Sequence, residues 1–280
     1  MIVTGLMPNQ APGFTFAGHH SGEYNVWLAR SNFHLMPPTR DRFASLVGRP
    51  GDLDLGFDYD ARSISLECVI HAESEQELRQ RAREVASWLD PRAGAQQLIL
   101  DSEPDKYYMA RCSGTSEVEI VARQGRFTVP FRASDPFAYA VQAKQIEWEA
   151  PYGGQTSLQN DGTADCPLVI TLVAPASAST AFEATGLGAT NLGAAGGAPQ
   201  TAGVTLTIGG ISVTYTGTIG PGDTVIIDTG NFTVTKNGAN ALQYWQGDFP
   251  VLRPGANMVT ETDTAGAGVS VTFQYRERWL

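Results

Sequence analysis

The sequence predicts a mainly β fold in two domains with a single α-helix. Three observations lead there. Apolar and polar residues alternate in most patterned segments, one stretch alone repeats its apolar residues at helical spacing, and charge drops sharply past the middle of the chain. Residues 1–150 hold 15 Lys and Arg with 20 Asp and Glu, whereas residues 151–280 hold 4 and 9. Surfaces so unlike are not expected to share one core. The boundary is placed in "EWEAPYGGQT", where Pro151 and Gly153-Gly154 break any regular element, giving domains 1–150 and 151–280.

In the first domain, "ARSISLECVIHA" alternates cleanly and puts Ile64, Leu66, Cys68 and Ile70 on one face of a strand. Ser74 followed by Glu77 forms the sequence signature of a capping box. Leu78, Ala82, Val85 and Leu89 then recur at helical spacing, and Asp90-Pro91 ends the helix. Strand-like runs follow in "QQLILD", "KYYMARCSG", "SEVEIVA" and "RFTVPFRA". Asp135-Pro136 stops the last of these, since proline has no N–H for the ladder and fixes its own φ.

The second domain reads as strand after strand. "CPLVITLVA", "VTLTIG", "ISVTYTG", "DTVIIDT", "NFTVTKNG" and "VSVTFQYRERW" are β-branched or alternating, with glycine and asparagine turns between them. Such regular short spacing predicts an antiparallel sandwich or barrel. "LGATNLGAAGGAPQTAG", residues 187–203, reads as a long surface loop.

Composition narrows the function. A formal net charge of −10 argues against a surface built to hold phosphates or anionic lipid. No run reaches the roughly 18 apolar residues of a membrane helix. "MIVTGLMPNQ" lacks the basic and apolar regions of a signal peptide, which points to synthesis and folding in a cytoplasm. Cys68, Cys112 and Cys166 stand at no metal-ligand spacing and form no disulfide framework, and Cys68 falls at a small core position.

A search for catalytic chemistry comes back nearly empty. The pairs Asp52-x-Asp54, Asp58-x-Asp60, Glu117-x-Glu119 and Glu147-x-Glu149 would each share a strand face, yet solvated faces account for them. "DLDLGFDYD" fails as a calcium loop because Leu55 takes the third ligand position. His19, His20, His34 and His71 show no metal spacing, and no nucleophile-elbow, phosphate-loop or paired-cysteine motif occurs. Catalytic, cofactor and metal residues are therefore expected to be absent. Tyr215, Tyr244 and Trp245 are candidates for stacking on sugar rings, with inward packing as the alternative.

The order of several segments carries a resemblance. "FTFAGHHSGEYNVWL", the stretch from Pro37-Pro38-Thr39-Arg40 to Arg49-Pro50-Gly51, "QQLILDSEPDKYYMARCSG", "GRFTVPFRASDPFAYA" and "DFPVLRPGANMVT" succeed one another along nearly the whole chain. Together they resemble the distal tail proteins of siphovirus-type bacteriophages, whose tails are long and non-contractile. The resemblance implies a ring-forming N-terminal domain, β-sandwich or barrel-like with one amphipathic helix, and a C-terminal galectin-like sandwich. It implies a homohexameric ring at the distal end of the virion tail, joining the tail tube protein to a tail-tip hub protein. A receptor-binding protein would attach outward, and DNA would pass through without stable binding or membrane insertion. Within the Pro37–Gly51 segment, read as an irregular loop, Arg40, Asp41, Arg42 and Arg49 become candidates for ion pairs between copies. The runner-up is a carbohydrate-binding adhesin module, and a cell-wall hydrolase comes third because no acid/base pair converges.

Overall fold

The structure, a computed structural model, describes residues 12–33, 35–121, 124–174, 201–264 and 268–280. Two compact units divide the chain: Met1–Val141 with Trp279–Leu280, and Gln142–Arg278. The division comes earlier than the Pro151–Gly154 turn. Residues Lys144–Ala150 alternate inward and outward and pair with a strand of the second unit, so they belong to its sheet.

The first unit runs β1 (Phe14–Phe16), β2 (Val26–Phe33), β3 (Thr39–Ser45), β4 (Asp52–Tyr59), β5 (Arg62–His71), α1 (Glu75–Trp88), β6 (Gln96–Leu100), β7 (Lys106–Cys112), β8 (Val118–Val121), β9 (Gln124–Ala133) and β10 (Ala138–Ala140). A short pair at His19–His20 opens the main sheet, which continues in the order β1-β6-β7-β9-β5-β2. β9 and β5 pair along their whole lengths, from Gln124 opposite His71 to Ala133 opposite Arg62. Their alternation buries Ile64, Leu66, Cys68 and Ile70 together with Phe127, Val129 and Phe131. Burial pushes the Cys68 thiol up to about 12, as expected of a core residue.

Helix α1 begins where the sequence places it. The Ser74 hydroxyl accepts the Glu77 N–H at 3.2 Å. Glu77 reaches one residue further back than a capping box requires, its carboxylate accepting the Glu73 N–H at 2.9 Å. Leu78 and Val85 are buried, and Trp88 stacks on Phe14 at 5.4 Å while its indole N–H donates to the Phe16 carbonyl.

The second unit runs β11 (Lys144–Ala150), β12 (Gln155–Asn160), β13 (Cys166–Val173), β14 (Thr201–Ile208), β15 (Ile211–Ile219), β16 (Thr224–Asp228), β17 (Thr233–Lys236), β18 (Gly255–Thr262) and β19 (Val269–Tyr275). One sheet has the order β11-β19-β13-β16-β17, the other β12-β18-β14-β15, and short pairs at Ala239–Asn240 and Trp245–Gln246 extend them. Inward residues of both sheets form one core around Leu158, Ile170, Leu206, Val213, Ile227, Val259 and Phe273. Of the expected surface loop, residues 187–200 lie outside the described residues, and residues 201–203 begin β14. The chain then ends in β20 (Arg278–Trp279), which pairs with β10.

Candidate functional site: an exposed hairpin on the first unit

The segment Pro37–Gly51 is not irregular. Its first part is β3, which pairs with β4 in a two-stranded sheet joined to no other among the described residues. The breakers Pro37-Pro38 and Pro50-Gly51 sit at its root and tip, where they leave the strands intact. The register explains what each face carries. Asp41 lies opposite Phe57 but Phe43 lies opposite Asp54, so β4 holds an extra residue, and Gly56 takes the left-handed conformation (φ 90°) that this bulge uses. One face of the hairpin consequently carries Phe43, Phe57 and Tyr59, and the other carries Arg40, Arg42 and Asp58.

Both faces meet solvent. Phe43, Leu55 and Phe57 remain 59%, 57% and 55% exposed, and Leu46 and Leu53 are exposed as well. An isolated hairpin is marginal in water, and neighbouring apolar side chains left uncovered on one element mark an interaction surface.

The four charged candidates fall into this element in different ways. Arg42 forms an ion pair with Asp58. Arg40 is the cross-strand partner of Asp58 and stands on the same face as Arg42. Asp41 stands on the aromatic face, opposite Phe57. Arg49 sits near the tip, its backbone N–H donating to the Leu46 carbonyl at 3.2 Å. The structure pairs Arg42 with Asp58 and places Arg40 on the same face; Arg49 is apart from them.

The Asp-Pro-Phe turn secures the root of the hairpin. Asp135 accepts the Phe137 N–H at 3.2 Å and the Tyr139 hydroxyl. Phe137 then packs edge-on against Tyr59 at 5.9 Å, and Tyr59 packs edge-on against Phe57 at 5.4 Å. Tyr139 stacks on Tyr107 at 5.7 Å, and the Lys106 ammonium lies 5.1 Å from the centre of the Trp279 ring. This aromatic run links the end of the main sheet to the base of the hairpin. Sequence reasoning missed Phe43 and Phe57, although "DLDLGFDYD" held a signal for Phe57.

The sugar-stacking candidates are separated by burial. Tyr215 is 1% exposed within the sandwich core and offers no ring face to a ligand. Tyr244 packs edge-on against it and is 42% exposed. Trp245 is half-buried against Phe249 at 5.4 Å, and Phe249 meets the exposed Phe232 edge-on at 5.4 Å. The three do not form one platform.

Two family models match the chain: "Phage tail protein RIFT-related domain" over residues 25–133, and "Siphovirus-type tail component, C-terminal domain" over residues 196–279. The chain belongs to the distal tail proteins of siphovirus-type phages. It is a phage tail component, and the hairpin lies inside the first matched region. Among solved structures, the distal tail protein of phage SPP1, described as a hub of the adsorption apparatus in phages infecting Gram-positive hosts, matches with a TM-score of 0.73. The identity is 13%, over 97% of this chain and 100% of that one. A chain of the phage p2 baseplate in its activated, calcium-bound conformation matches over 96% of this chain and 98% of that one, at 7% identity and a TM-score of 0.44. No curated protein matches the sequence.

Proposed function

We propose that this protein is the hub of a phage tail tip, closing into a ring of six copies that joins the tail tube to the adhesion apparatus and lets DNA pass. The observation that carries this reading is the free-standing β3–β4 hairpin with Phe43, Leu55 and Phe57 uncovered on a unit whose own core is complete. Burying such side chains is worth about 1.5–3 kcal/mol each, and a neighbouring copy supplies the cover. Repeated head to tail around an axis, this contact closes a ring.

The ionic face then sets register. Arg42 pairs with Asp58 within the copy and Arg40 stands beside it on the same face, which leaves guanidinium donors for a carboxylate of the neighbour. The tail tube protein and a tail-tip hub protein contact the two ends of the ring. The second unit serves as a galectin-like module for a receptor-binding protein. DNA transit calls for a passage that does not grip phosphates. Residues 37–60 hold five Asp against three Arg, and each copy carries −10 overall. Within a Debye length of about 8 Å, such a field keeps a duplex away from the wall.

Sedimentation velocity of the full chain tests assembly, and a single six-copy species is expected. A monomer at all accessible concentrations contradicts the ring. Mobility shift with duplex DNA is expected to show no complex at physiological salt, and a salt-sensitive complex contradicts the non-binding passage.

A further inference from the structure

We propose that Glu261 is a proton-operated lock on one end of the second unit. With its carboxyl neutral, the end of β18 stays packed in the core; with the carboxyl ionised, that end opens.

The geometry carries this inference. Along β18, Asn257, Val259 and Glu261 point inward, in alternation with the exposed Met258 and half-buried Thr260. Asn257 satisfies its amide fully: its oxygen accepts the Arg253 N–H at 3.0 Å, and its nitrogen donates to the Arg253 and Gly255 carbonyls. Glu261 does not. It is 0% exposed, and both carboxyl oxygens are buried without a hydrogen-bond partner among the described residues. Its backbone is held in place, with its N–H donating to the Gly154 carbonyl at 3.1 Å and its Cα opposite Leu206 of β14.

β12, β13, β14, β15 and β19 contain no Asp, Glu, Lys, Arg or His. In β11, Glu147 and Glu149 are exposed, and Lys144 at the far end is paired with Asp161 and Glu277. The charged group that acts on Glu261 is Asp263, two residues along the same strand direction. The Asp263 carboxylate accepts the Gly268 N–H at 2.8 Å, which fixes that group close by. In apolar surroundings an unpaired carboxylate is far more costly than a neutral carboxyl. Burial first, and Asp263 second, therefore raise the Glu261 pKa from 4.5 to about 7.

The sign follows from linkage. The folded state holds the proton more tightly than the open state. Closure is fully favoured below the ordinary carboxyl range and weakens as pH rises through about 7. Between pH 5 and pH 8.5 the opening equilibrium should grow on the order of 10²-fold.

Hydrogen exchange of the full chain tests this, with rates corrected for the intrinsic pH dependence of exchange. The amides of Leu206, Ile208, Val259 and Glu261 should lose protection on the order of 10²-fold across that range. Glu261→Gln and Glu261→Leu should each abolish the pH course. An identical course in the wild type and in Glu261→Gln would overturn the lock. Should both variants fail to fold, ¹³C titration of the glutamate carboxyls in the unaltered protein decides the matter. A midpoint for Glu261 near 7 supports the lock, and one near 4.5 overturns it.

Discussion

The hairpin β3–β4 and the strand β15 are both short, alternating and aromatic, yet they end in opposite environments. β15 lies in a sheet with a second sheet facing it, and its alternation sends Tyr215 into a closed core. The hairpin has the same local grammar and no second layer, so Phe43 and Phe57 remain in solvent. The difference teaches that alternation sorts side chains between two faces but does not say which face will be covered. Cover is a property of the layer above. In the second unit the chain provides that layer itself. At the hairpin no second layer is present among the described residues, and this is the physical argument for a partner copy.

The comparison can be pressed from both sides. Tyr215→Ala removes a fully buried ring and should destabilise the second unit by about 3–5 kcal/mol in chemical denaturation, while leaving any ring formed by the first unit intact. A cost below about 1 kcal/mol would show that the ring is less essential to the core than its burial implies. Reversing Arg40 and Arg49 to Glu should act on assembly and hardly on folding. It places a second negative charge opposite Asp58, where like charges repel, and should shift the size distribution toward monomer at moderate salt. An unchanged distribution would remove the ionic face from the contact. Tyr244→Ala should cost least, within about 0.5 kcal/mol, because much of its ring is already in water. A selective loss of glycan retention in that variant would instead revive the adhesin alternative.

Much of the fold was legible in the residues. The Ser74 cap, the helical spacing through Leu89 and the Asp135-Pro136 stop all act locally, and the chain obeys them. The inward face of β5 was legible because four apolar residues alternate without interruption. The hairpin was obscured by its own prolines and glycines, which read as a loop although they sit at its root and tip. Its bulge at Gly56 also shifts the alternation, so neither face is purely apolar. For Tyr215 the alternation was correct and the face was undetermined, since an outward aromatic and an inward one leave the same pattern. Glu261 did leave a trace, as a charged residue in phase with Val259. Nothing local separated it from an exposed carboxylate.

The central claim is that the aromatic face of the hairpin is covered by a neighbouring copy. Negative-stain microscopy of the full chain, beside a variant with Phe43→Asp and Phe57→Asp, tests it most directly. The account predicts closed six-fold rings for the unaltered chain. For the variant it predicts only single particles, with the far-ultraviolet circular dichroism unchanged because both side chains stand outside the core. Rings of the same size and abundance in the variant would contradict it.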